Sequence, residues 1–132
     1  MLKKRQLIIS FIMMLTLFSA GCAGASDYEI DLPGNYSVIR SSAHDVKISP
    51  KIGENGWGPE VVPAEVVEVG WNEKYIIAKQ QQGAKNENFW IIEIETENVI
   101  GPLNNENFTN KQAEYGIEDI SLKKVQELEK AY

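Results

Sequence analysis

Residues 89–96 read Phe89-Trp90-Ile91-Ile92-Glu93-Ile94-Glu95-Thr96, and their period decides the fold class. In an extended chain Trp90, Ile92 and Ile94 point one way, while Glu93, Glu95 and Glu97 point the other. The even-numbered side is therefore expected to face a core, and the odd-numbered side to become solvated after Ile91. Upstream, the polar stretch Gln81 to Asn88 joins this strand to Lys74-Tyr75-Ile76-Ile77-Ala78-Lys79-Gln80. Asn72-Glu73 makes a tight turn back to Val66-Val67-Glu68-Val69-Gly70-Trp71. Downstream, Thr96 to Val99 turns into a brief strand that ends at Gly101-Pro102. Connections this short cannot make parallel crossovers, so the strands form an antiparallel meander.

Nearer the N-terminus, Tyr36-Ser37-Val38-Ile39 and Asp45-Val46-Lys47-Ile48 are two more candidate strands. Pro50 to Pro59 reads as a loop, dense in Gly and Pro with Trp57 inside it. Trp71 and Trp90 stand among Val and Ile and are expected to pack in the core. The last quarter changes to helical period. Asn104 or Asn105 can cap a helix with Phe108, Gln112 and Tyr115 on one side and Gly116 as its stop. Ser121 can cap a second, with a stripe of Leu122, Val125, Leu128 and Tyr132. The expected class is α+β: an antiparallel β-meander sheet covered by one or two C-terminal helices.

The first 21 residues have a different character. Lys3, Lys4 and Arg5 form a positive start, Leu7 to Phe18 is almost wholly apolar, and Ser19-Ala20-Gly21 are small. Leu7 to Gly21 is 15 residues, short of the roughly 20 that span a bilayer. Ser19-Ala20-Gly21-Cys22 resembles a bacterial lipobox, with Ser19 where Leu is usual. That resemblance implies a diacylglyceryl group on the Cys22 thiol and cleavage in front of it. Two acyl chains give stable anchoring where one is marginal. Residues 1–21 are thus expected to be a lipoprotein signal peptide, 22–35 an acidic tether, and 36–132 a single globular domain. The expected location is the extracytoplasmic face of the cell membrane, held by the lipid.

Removing 21 of 132 residues leaves ten basic against nineteen acidic side chains, a net charge of −9. A domain this acidic lacks the basic footprint of nucleic-acid binding, so no nucleic-acid partner is expected. One Cys excludes an internal disulfide framework, and one His with that Cys committed to lipid leaves too few ligands for zinc. Asp27, Glu29 and Asp31 alternate in the tether but lack the glycine-centred loop of a calcium motif. No phosphate loop, dinucleotide fingerprint or haem motif occurs, so no metal or cofactor is expected.

His44 is the sole histidine. A hydrolase would pair it with Ser41 or Ser42, yet Asp45, adjacent in a strand, is badly placed to orient it. No catalytic residue is assigned. Loops on a rigid sheet concentrate binding residues and Trp is frequent among interface anchors, which makes Trp57 a candidate partner contact, with His44 and Arg40 beside it.

Four blocks carry a family resemblance: Tyr36 to Val46, Gly56-Trp57-Gly58-Pro59, Tyr75 to Gln80, and Phe89 through Leu103. Together they resemble small lipoproteins of Gram-positive spore formers, catalogued as domain of unknown function 3997. The resemblance begins near residue 27, implies a Gram-positive source, and brings no activity or ligand. The expected role is a non-enzymatic, monomeric binding module meeting an unknown protein or cell-wall partner. An inhibitor or immunity-type protein masking a partner, and a cell-envelope hydrolase using His44, are the alternatives.

Overall fold

The computed structural model describes residues 27–129. The expected signal peptide and Cys22 lie outside the described residues. Strands β1 (Tyr28–Asp31), β2 (Tyr36–Arg40), β3 (Val46–Ile52) and β4 (Gly56–Trp57) form one antiparallel sheet in that order. Strands β5 (Val66–Trp71), β6 (Tyr75–Gln82), β7 (Asn86–Glu93), β8 (Asn98–Leu103) and β9 (Lys123–Lys124) form a second, ordered β8-β7-β6-β5-β9. Helix α1 spans Asn105–Tyr115, and α2 spans Val125–Glu129. The class is α+β, with the meander divided into two sheets rather than continuous.

The division has a local cause. Ile48 donates to the Val62 carbonyl at 3.0 Å, and Val61 donates back to the Ile48 carbonyl at 2.9 Å. The chain after the Gly- and Pro-rich stretch thus caps the free side of β3, and β5 starts a new sheet. Between the sheets lie Ile30, Val38, Ile48, Val62, Val69, Ile76 and Ile92, all nearly or fully buried. Each such side chain contributes on the order of 1.5–3 kcal/mol relative to exposure.

The alternation around residue 90 is borne out. Ile92 is buried in the core between the sheets, and Trp90 and Ile94 pack against that core. Odd residues Phe89 and Ile91 are buried on the other face, while Glu95 is exposed. Helix α1 covers that face, and Phe108 stacks on Phe89 with ring centroids 4.5 Å apart. Tyr115 stacks on Tyr75 at 5.4 Å. The helix ends match their signals. The Asn104 side chain accepts from the Asn107 N–H at 2.8 Å, and Gly116 stops the helix at φ 65°. Similarly, the Asn72 side chain accepts from the Lys74 and Tyr75 N–H groups, each at 2.8 Å, which closes the turn between β5 and β6.

Three expectations are corrected. The tether does not extend to residue 35: Tyr28–Asp31 is an edge strand paired with β2, and Ile30 and Leu32 are buried. Its carboxylates hid a strand alternation, because Glu29 and Asp31 point outward to Lys51 at 3.2 and 3.6 Å. The Pro50–Pro59 loop is partly a hairpin, in which Lys51 pairs with Trp57 and Ile52 with Gly56. The second helix starts at Val125 instead of after Ser121, because Lys123 and Lys124 first pair with Val69 and Glu68 of β5.

Candidate functional site

Strands β2 and β3 run between two unlike ends. Arg40 pairs with Val46 and with Tyr28 at one end; Tyr36 pairs with Pro50 at the other, just before the β3–β4 hairpin. The seven residues of β3, Val46–Ile52, separate the ends by roughly 20 Å.

The hairpin end is apolar and convex. Ile52 is 59% exposed and Trp57 36%, and they are the exposed large hydrophobic residues among the described ones. They sit in adjacent pairs of the same short ladder. Gly58 keeps the tip tight: a Cβ there would lie 2.9 Å from Pro50 Cγ and 3.0 Å from Ile52 Cδ1. Lys51 ties the hairpin to β1 through Glu29 and Asp31, with its Nζ 5.3 Å from the Trp57 ring centroid. The hydrogen bond to Glu29 and that carboxylate's charge raise the Lys51 pKa above the ordinary lysine value. Trp57 is thus partly exposed, with the Lys51 ammonium beside its ring.

Arg40 and His44 do not join Trp57; they lie at the far end. The Arg40 guanidinium carbon stands 5.4 Å from the Tyr28 ring centroid, and its Nε donates to the Ser42 carbonyl at 3.2 Å. His44 has an 88% exposed side chain, its Nδ1 3.4 Å from Glu65 Oε2. Ser41 donates to Asp45, so its hydroxyl proton is committed to that carboxylate. Glu65 lies between His44 and a groove that Arg40 also lines.

Sequence reasoning missed Ile52, the exposed neighbour of Trp57, and missed Tyr28, Glu65 and Glu129 at the groove. The signal for Ile52 was present: it immediately precedes Gly53, at a turn where an apolar side chain has no core to enter. Nothing local marked Glu65 or Glu129, which come to line one groove with Arg40 only through the packing of the sheets and of α2. Among the described residues there is no group of three or more His, Cys, Asp or Glu able to hold a metal, and no helix long and apolar enough to cross a membrane.

No curated protein and no solved structure gives a significant match to this chain. Residues 33–126 match a family described as protein of unknown function, DUF3997, and that span runs from the turn before β2 into α2. The two-sheet frame, the hairpin and the start of α2 all fall inside it, and the chain belongs to the DUF3997 family.

Proposed function

We propose that this chain is a lipid-anchored binding module on the extracytoplasmic face of the cell membrane, presenting the Ile52–Trp57 hairpin to a protein partner. The observation that carries this reading is that the exposed large hydrophobics among the described residues, Ile52 and Trp57, both lie in one short hairpin. Large exposed aromatics held in place by their neighbours are the usual anchors of protein interfaces. The location rests on the apolar leader and on Cys22 in its lipobox-like setting. Cys22 precedes Tyr28 by six residues, a covalent reach of at most about 20 Å. The anchor thus attaches at the Tyr28 end, and the hairpin is at the opposite end, where it is free to meet a partner in the wall space. An inhibitor would use the same tip by covering the partner's own site.

Two experiments test this. In cells fed radiolabelled fatty acid, the wild-type chain should be labelled and membrane-bound, and Cys22→Ala should be unlabelled and released. Unlabelled wild-type protein in the medium would remove the anchor from the reading. A photo-crosslinker at Trp57 on intact cells should give a discrete adduct that one at Glu114, on exposed α1, does not. Equal adducts from both positions would end the hairpin proposal.

A further inference from the structure

The Tyr28 end of the molecule holds a groove of about 550 Å³, opposite to the hairpin. That volume lies within the range of small-ligand sites. Val46, Val66 and Val125 line it as buried apolar residues. Arg40, Lys79 and Lys124 line it as cations and Glu65, Glu68 and Glu129 as anions; of these, Lys79 is held by Glu68 and Glu87, and Glu65 faces His44. Lys47, Lys51, Lys79 and Lys111 each have a carboxylate within 4.0 Å, whereas among the described residues Arg40, Lys74, Lys85, Lys123 and Lys124 have none, and of these Arg40 and Lys124 line the groove. The geometry of Arg40 is also restricted. Its Nε is engaged by the Ser42 carbonyl and its guanidinium sits over the Tyr28 ring, which leaves the two terminal nitrogens for a ligand. That edge of a guanidinium matches a carboxylate bidentately.

The main chain at the groove is irregular as well. Strand β5 carries a bulge between Val66 and Glu68, so Val67 has no cross-strand partner on β6. On its other side β9 covers β5 only at Glu68 and Val69. Both Val66 and Val67 line the groove, past the point where β9 stops and where α2 packs on β5. Glu129 and Arg40 both act on the Tyr28 phenol. Burial raises its pKa most, Glu129 raises it further, and Arg40 opposes them, so both charges reach one point of the groove.

We propose that this groove binds a short peptide with free ends, its carboxylate on Arg40 and Lys124, its ammonium at Glu129, and a small side chain on the valine floor. A peptide fits better than a zwitterionic lipid headgroup because the valine floor takes a small apolar side chain that a headgroup lacks. The site is independent of the hairpin and rests on different residues.

The test titrates the full-length chain in detergent with Ala-Ala, N-acetyl-Ala-Ala, Ala-Ala-amide and glycerophosphoethanolamine, read by calorimetry. The free dipeptide should saturate, and blocking either end should weaken it about tenfold or more, the scale of one lost charged contact. Arg40→Gln should abolish the penalty for amidation, and Glu129→Gln the penalty for acetylation, with unfolding curves unchanged. If a variant does not fold, the blocked peptides still decide the matter on the wild-type chain. Equal binding of free and blocked peptides would overturn the proposal. So would no saturation by Ala-Ala up to about 10 mM, weaker than any useful affinity on this scale. Binding of glycerophosphoethanolamine without binding of Ala-Ala would overturn it in favour of a lipid headgroup.

Discussion

The hairpin end and the groove end share β2 and β3 but expose opposite chemistry. At the hairpin, Ile52 and Trp57 are exposed, Lys51 beside them is tied to Glu29 and Asp31, and Glu54 stands exposed in the turn. At the groove, the apolar residues lie at the floor and the charges line the walls, with Arg40 and Lys124 lacking carboxylate partners among the described residues. A convex apolar tip suits a second protein surface, which can exclude water from it. A concave charged site suits a small ligand whose charges replace the water they displace. One sandwich can thus present two recognition surfaces, because its rigid core separates them by roughly 20 Å.

The comparison breaks altogether if the shared core fails. Ile48 is fully buried between the sheets and its backbone holds the crossing segment at Val62. Ile48→Ala should cost about 2–5 kcal/mol in denaturant unfolding and weaken both ends together. A cost near zero would show that the sheets are not packed on this residue.

A polar change should separate the ends. Gln80 is fully buried, donates to the Ala64 carbonyl at 2.9 Å and accepts from the Trp90 indole at 2.8 Å. Gln80→Leu strands both partners and should cost about 1–3 kcal/mol. Because Ala64 leads directly into the groove wall at Glu65 and Val66, peptide binding should suffer while the hairpin adduct persists. Loss of the adduct alone would reverse the assignment of Gln80 to the groove side.

Trp57→Ala should be milder in stability, below about 1 kcal/mol, since the side chain is already partly in water. A large drop in melting temperature would make it a structural residue and remove it from the interface.

The smallest effect concerns pH. Folding raises the pKa of Tyr28 and Tyr36, chiefly through burial, and of Lys51 and Lys79, chiefly through hydrogen bonds to Glu29 and Glu87. Each group is therefore favoured in its protonated form by the fold. That contribution is complete below the unfolded values of 10.0 for tyrosine and 10.5 for lysine. It is lost as pH rises through the higher folded values. Unfolding measured from pH 8 upward should show no loss from these groups until about pH 10, then a decline. Tyr28 belongs to the groove and Lys51 to the hairpin, so both ends should loosen over the same interval. A decline complete by pH 9 would point to other groups.

Much of the frame was legible in local pattern. The alternation of Trp90, Ile92 and Ile94 against Glu93 and Glu95, the Asn72 turn, the Asn104 cap and the Gly116 stop all appear where the residues indicate. These features depend on a few neighbouring residues and on backbone geometry, and tertiary contacts did not override them. The edge strand β1 was not legible, because carboxylates that face an ion pair look the same in sequence as those of a solvated tether.

The sequence by itself determined an α+β chain with one or two covering C-terminal helices, an acidic composition, and an aromatic in a Gly- and Pro-rich turn. Periodicity, capping and charge are properties of short windows, which is why they could be read without coordinates. Only the tertiary structure decided that the meander divides into two sheets, that Trp57 stands apart from Arg40 and His44, and that Tyr28, Arg40, Lys124 and Glu129 line one groove. These residues are up to about a hundred positions apart in the chain. They meet because β1, β5 and α2 bury their apolar sides against one another, a long-range requirement that no local pattern expresses.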